Sequence, residues 1–136
     1  MIFIDTNIWC YFFDENSKEH SKALDFMRKT IEKDKILINT IVIMEISHYL
    51  IRNLGPVKGK ERLDIFLSFG FAADELNFAA SKESIKLLCE YSHEGIGGRD
   101  STILASMRKH GIKTIATHDS SFKKVDWLHV IDPIII

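Results

Sequence analysis

Short apolar runs alternate with longer segments of helical period along this chain, and that alternation is what most limits the folds open to it. Ile2-Phe3-Ile4 and Ile36-Leu37-Ile38 are β-branched and aromatic runs with the length of buried strands. Lys113 to Ala116 and Leu128 to Ile131 read the same way, while Phe71 to Leu76 is an ambiguous strand. Strands separated by helices favour an α/β fold, with a parallel sheet covered on both faces through right-handed crossovers. In such sheets functional groups gather beyond the carboxyl ends of the strands.

The helical segments carry their own signals. Ala23, Phe26, Met27 and Ile31 recur at helical spacing opposite Lys22, Arg28, Lys29, Glu32 and Lys33, which predicts an amphipathic surface helix over Ser17 to Lys33. Asn39 or Thr40 can cap the next segment, whose Ile41, Val42, Ile43, Met44, Ile46, Tyr49, Leu50 and Ile51 leave almost no polar face and so predict a buried helix. Gly55-Pro56 breaks it, and a further helix is expected from about Lys58 to Phe69. Ala79 to about Ser92 reads as a helix ended by Gly95-Ile96-Gly97-Gly98, and Asp100-Ser101 opens another that closes at His110-Gly111.

A chain of 136 residues sits at the commonest domain size and buries roughly two-thirds of its unfolded surface, so one domain over residues 1–136 is expected. Eighteen basic against nineteen acidic residues leave a net charge of −1, and nothing global advertises nucleic acid or an anionic membrane. Any polyanion contact must be local. Cys10 and Cys89 stand far apart without a secretory leader, and no apolar run suits a bilayer, which reads as an intracellular, disulfide-free protein.

The chemistry-bearing residues are acidic. Asp5 follows the first strand, and Asp119 follows the strand at Lys113 to Ala116 after Thr117-His118, so both should emerge at one rim of a parallel sheet. Asp100 lies in the first turn of its helix on the face of Ile103, Leu104 and Met107, where half burial is expected. Glu45 lies in mid-helix with little solvent-facing surface, and its charge needs a partner or a pKa shift. Four converging carboxylates repel unless a divalent ion neutralises them, and all-oxygen ligation suits Mg²⁺ or Mn²⁺. Such an ion points to phosphoryl chemistry, in which an acidified water attacks a phosphodiester in line. Thr6, Asn7, Thr117 and Ser120 flank the acids and can position water or phosphate oxygens.

Four stretches together resemble one family. Ile2-Phe3-Ile4-Asp5-Thr6-Asn7, a lone Glu45 inside an apolar helix, Asp100-Ser-Thr-Ile-Leu-Ala opening a late helix, and Thr117-His-Asp119-Ser-Ser-Phe122 after a strand look like the PIN-domain nucleases, especially the toxin ribonucleases of VapBC-type toxin–antitoxin pairs. Each motif alone is weak; four in the family's order and spacing over essentially the whole chain are a strong joint signal. The resemblance implies a Rossmann-like three-layer α/β/α sandwich with a mostly parallel sheet. It implies Mg²⁺- or Mn²⁺-dependent endoribonuclease activity in the cytoplasm, and frequently a homodimer neutralised by a small antitoxin. By position Asp5, Glu45, Asp100 and Asp119 match the family's acidic quartet, and Asn7 and Thr117 its polar neighbours. Arg99 departs from the usual pattern before the third acid; binding phosphate and partly neutralising the site are both open to it.

Plainer readings stand beside these. Asp5 and Asp100 can be helix N-caps and Asp119 a turn residue. Cys10, Cys89 and His48 read as packed residues, His118 as solvent-facing, and Trp9, Tyr11, Phe12 and Phe13 as core or interface before base-stacking. Arg52, Lys58, Lys60, Arg62, Lys123 and Lys124 read as solvated charge before an RNA contact. The competing functions are a stand-alone RNA-processing or DNA-directed nuclease, a non-hydrolytic binding module, and a phosphoaspartyl enzyme with Asp5 as nucleophile. The last lacks the usual second aspartate, since position 7 is Asn.

Overall fold

The computed structural model describes residues 1–135. Its strands are β1 (Ile2–Ile4), β2 (Ile36–Asn39), β3 (Ala72–Asp74), β4 (Thr114–Ala116) and β5 (His129–Ile131). They form one sheet in the order β3-β2-β1-β4-β5 with every neighbouring pair parallel. The helices are α1 (Thr6–Phe13), α2 (His20–Lys33), α3 (Thr40–Leu54), α4 (Pro56–Leu67), α5 (Phe78–Tyr91) and α6 (Gly98–Lys109). The steps β1 to β2 to β3 run one way across the sheet, and the return from β3 to β4 runs the other. Right-handed crossovers therefore place α1 to α4 on one face and α5 with α6 on the opposite face, giving three α/β/α layers. The order in which strands are added reverses between β1 and β4, where the Asp5 amide donates to the Ala116 carbonyl at 3.0 Å. A crevice at such a switch point is where open α/β sheets hold their ligands.

β1 and β2 are buried at every residue, as strands covered on both faces must be. Against them packs Trp9 of α1, fully buried, with Phe13 stacked beside it and Phe66, Phe69 and Phe71 meeting it edge-on. The Trp9 indole N–H donates to the Ile4 carbonyl at 3.1 Å, so its one polar atom is satisfied. Trp9 and Phe13 of the aromatic run are thus core with Cys10 beside them, while Tyr11 and Phe12 are only partly buried.

Several elements differ in detail from the sequence reading. α3 is buried only along Val42, Ile46 and Leu50, while Met44 and Ile51 are 68% and 42% exposed. Its neighbours α1, α4 and β2 cover one side, and the outer apolar stripe borders an open cleft. His48 is exposed on that stripe, and Cys89 is exposed on α5, so neither is packed. α2 starts at His20 because Ser17 is held in a turn, its amide donating to the Asp14 carbonyl at 3.1 Å. Pro56 starts α4 at the position where its missing N–H costs nothing, after Gly55 with φ 85° ends α3.

The α3–α4 pair meets at a glycine that sequence periodicity does not mark. A Cβ on Gly59 would stand 2.7 Å from the Leu50 carbonyl oxygen and 2.8 Å from Ile51 Cα, both backbone atoms that cannot turn aside. Gly59→Ala is therefore expected to lose about 1–3 kcal/mol of stability by overpacking, read from a urea transition with unchanged slope.

β3 ends at Asp74, which is 4% exposed and ties the sheet to α6. Ser106 Oγ donates to it at 2.8 Å, Lys109 Nζ lies at 3.2 Å and His110 Nε2 at 3.2 Å. Burial pushes its carboxyl up, but these hydrogen bonds outweigh burial and hold it below the usual carboxylate value. A depressed pKa gives stability that is present above the unfolded value and lost as pH falls through the folded one. Asp74→Asn is accordingly expected to cost about 1–3 kcal/mol at neutral pH. The gap from the parent should close as pH drops below the carboxylate range, measured by thermal melts across pH.

Candidate active site

Three elements deliver acids to the crevice at the end of β1. Asp5 is the residue after β1 and the N-cap of α1, and its side chain is completely buried. Its carboxylate accepts from the Thr6 amide at 2.7 Å and from Thr117 Oγ1, just beyond β4, at 2.7 Å. Glu45 comes from the middle of α3, where its Oε1 accepts from Thr6 Oγ1 at 3.0 Å. Asp100 is the third residue of α6, and its Oδ2 reaches back to the Gly97 amide at 3.4 Å. A carboxylate there also faces the positive end of the helix. Asp100 is 8% exposed, more deeply buried than the half burial expected of it.

The three acids meet at one cation. Arg99 Nη1 lies 3.0 Å from Asp5 Oδ1, its Nε 3.3 Å from Glu45 Oε2, and its Nη2 3.4 Å from Asp100 Oδ1. Burial pushes the Glu45 and Asp100 carboxyls up, Arg99 pulls both back, and the neighbouring acids leave both raised. Burial alone would lower the Arg99 guanidinium, but Asp5, Glu45 and Asp100 raise it, so it stays charged.

Thr117 is the hub for the polar neighbours. Asn7 Nδ2 lies 3.4 Å from its hydroxyl, and the Asn7 side-chain oxygen accepts from the His118 amide at 3.2 Å. The Asp119 amide also donates to Thr117 Oγ1, at 3.0 Å, which ties this fourth acid to Asp5 through one hydroxyl. The Asp119 side chain does not join the Arg99 cluster: it caps the 3₁₀ turn Ser120–Lys124, accepting from the Ser121 amide at 2.9 Å and Ser121 Oγ at 2.7 Å. Its charge still contributes to raising Asp100.

One residue that sequence did not single out joins the site, and one reading changes. The hydroxyl that holds Asp119 belongs to Ser121, while Ser120 beside it is exposed. An aspartate folds back on the amide two residues ahead, a spacing that points to Ser121. His118 is not simply solvent-facing: its Nδ1 pairs with Asp132 Oδ2 at 2.9 Å, and that carboxylate is nearly buried. Nothing in the local sequence marks the Asp132 partner, which arrives from beyond β5.

The donor set fits a hard dication, with carboxylate oxygens only and three negative charges in excess over Arg99 among the four acids. Among the described residues no three acids, histidines or cysteines stand close enough to hold an ion as placed. Arg99 occupies the point on which Asp5, Glu45 and Asp100 converge, so coordination requires its guanidinium to turn away. Its side chain is 29% exposed and lines an open cleft of about 1010 Å³ with Thr6, Tyr11, Ile41, Met44 and Glu45, which leaves room for that movement.

This geometry sits on a known fold. Ribonuclease VapC23 of Mycobacterium tuberculosis is 27% identical over 120 residues, spanning 88% of this chain and 93% of that protein. The crystal structure of M. tuberculosis VapC20, a Sarcin-Ricin loop cleaving toxin, superposes with a TM-score of 0.80 at 20% identity, over 92% of this chain and 95% of that one. A toxin–antitoxin complex from Klebsiella pneumoniae contains a chain with a TM-score of 0.74 at 20% identity, over 98% of each. Residues 2–128, the stretch that holds Asp5, Glu45, Asp100 and Asp119, match the PIN domain, and the chain belongs to the PIN-domain family.

Proposed function

We propose that this protein is an endoribonuclease dependent on Mg²⁺ or Mn²⁺, and the toxin of a type II toxin–antitoxin pair. The observation that carries the reading is the convergence of Asp5, Glu45 and Asp100 on a single point at the switch of the sheet. Family membership supports divalent-cation use and hydrolytic nuclease chemistry. The ribonuclease VapC23 and the toxin–antitoxin complex from Klebsiella pneumoniae support RNA as substrate and a small antitoxin as partner.

Asp5, Glu45 and Asp100 would hold the ion, and Asp119, whose charge already acts on Asp100, would be the fourth acid of the set. A divalent ion supplies positive charge to the scissile phosphate and acidity to an attacking water. Thr117 and Thr6 fix Asp5 through two short hydrogen bonds, and Thr6 orients Glu45 through a third. Asn7 holds Thr117 and the His118 amide, keeping the end of β4 against α1.

The cleft beside the acids offers a partner the apolar outer stripe of α3, with Ile41 and the exposed Met44 on its wall. We assign that stripe to the antitoxin, and take the working form as a cytoplasmic homodimer. No helix among the described residues is long and apolar enough to cross a membrane. The test is cleavage of a single-stranded RNA by the purified chain. Product should appear with Mg²⁺ or Mn²⁺, vanish in excess chelator and return when the ion is restored. Cleavage that persists in chelator rules the metal-dependent reading out.

A further inference from the structure

Resting on that metal-dependent reading, we propose that Arg99 is an exchangeable counter-ion: its guanidinium gathers Asp5, Glu45 and Asp100 in the metal-free chain, and a divalent cation takes its place as Arg99 turns into the adjoining cleft. The distances argue for exchange over sharing. The carboxylate oxygens stand 3.0, 3.3 and 3.4 Å from three different guanidinium nitrogens, an arrangement propped open by a planar fork. A magnesium ion draws its oxygens to about 2.0–2.1 Å in near-octahedral geometry. The acids cannot close to that distance around a group as wide as guanidinium, and at the same convergence point the two cations would repel each other.

Arg99 cannot leave by losing its proton, because a guanidinium stays protonated at any working pH. It must therefore move, and the route is built. The side chain is 29% exposed and forms part of the wall of the cleft of about 1010 Å³. Gly97 and Gly98 sit just before it, and an added Cβ at either would meet nothing within 4 Å, so the space beside these two residues is open. The backbone of α6 need not shift, since Asp100 stays anchored at the Gly97 amide while the longer side chain rotates. In the metal-free chain the pairing also relieves repulsion among three carboxylates that would otherwise face one another uncompensated.

The experiment is a calorimetric titration of Mn²⁺ into the purified full chain and into Arg99→Gln and Arg99→Lys. It is paired with nuclear magnetic resonance of the Arg99 Nε–H signal, identified by its loss in Arg99→Lys, as Mg²⁺ is added to the parent. Removing the competing cation should tighten Mn²⁺ binding roughly tenfold in Arg99→Gln. In the parent, the Nε–H signal should leave its hydrogen-bonded position and exchange rapidly with water at saturating Mg²⁺. An affinity within about twofold of the parent's, or an Nε–H signal unmoved at saturation, overturns the exchange. Absence of divalent binding by every protein at millimolar ion instead removes the metal-dependent reading on which the exchange rests. If Arg99→Gln does not fold, the signal in the parent decides alone.

Discussion

Asp100→Asn is expected to cleave single-stranded RNA at least about a hundredfold more slowly than the parent, the loss typical when one preorganised electrostatic group is removed from a reacting centre. The amide has the carboxylate's shape, and its oxygen can still accept from the Gly97 amide, so α6 should start as before. What goes is one negative oxygen at the point where Asp5, Glu45 and Asp100 converge. Stability should not fall with activity. Burial raises the Asp100 carboxyl, so its contribution is fully present only below the unfolded pKa and is lost as pH rises through the folded one. At neutral pH the ionised acid therefore costs stability, and the neutral amide lacks that cost. Circular dichroism and a melting temperature equal to or above the parent's, beside a collapsed cleavage rate, is the expected pair of results. A collapsed melting temperature would mean that Asp100 serves the fold.

The opposite pattern is expected at Trp9. Trp9→Ala should destabilise the protein by about 3–5 kcal/mol, a large share of the about 5–15 kcal/mol that holds a domain together. The indole is fully buried, and α1, α4 and the approach to β3 all pack on it through Phe13, Phe66, Phe69 and Phe71. Its deletion also leaves the Ile4 carbonyl without the indole donor, next to Asp5. Urea denaturation should show a lower midpoint with a similar slope. Folded molecules at low temperature should cleave RNA at near the parent's rate, because the indole touches none of the acids.

The layered α/β architecture was readable because the central strands β1 and β2 are apolar runs between helical periods, as buried parallel strands must be, whereas the edge strand β3, Ala-Ala-Asp and largely exposed, stayed ambiguous. The nearness of Asp5 to the end of β4 followed from position alone, since residues just after parallel strands share a rim. Glu45 was conspicuous as a charge in an apolar stretch. That stretch misled in one respect: apolar residues on the outer side of α3 suggested complete burial, yet Met44 and Ile51 are exposed, Met44 on the wall of the cleft. A pattern of hydrophobicity reports which surfaces avoid water in the working state, and a partner's surface counts as readily as the core.

What stayed hidden depends on contacts between distant segments. The position of Arg99 at the meeting point of three acids needs β1, α3 and α6 placed together. Asp132 against His118 joins residues 14 apart across the end of the sheet, and no local period encodes it. Gly59 looked like an ordinary helix glycine until Leu50 and Ile51 were set against it. The Asp74 tie to Ser106, Lys109 and His110 is of the same kind.

The most direct measurement is the RNA cleavage rate of Asp5→Asn, Asp100→Asn and the double variant, at saturating Mg²⁺ on one substrate. Side chains that work as a unit lose nearly everything when either is removed, so the double variant should be about as slow as each single one. An Asp5→Asn or Asp100→Asn protein that cuts at the parent's rate would contradict a shared carboxylate centre. So would two moderate losses that multiply in the double variant.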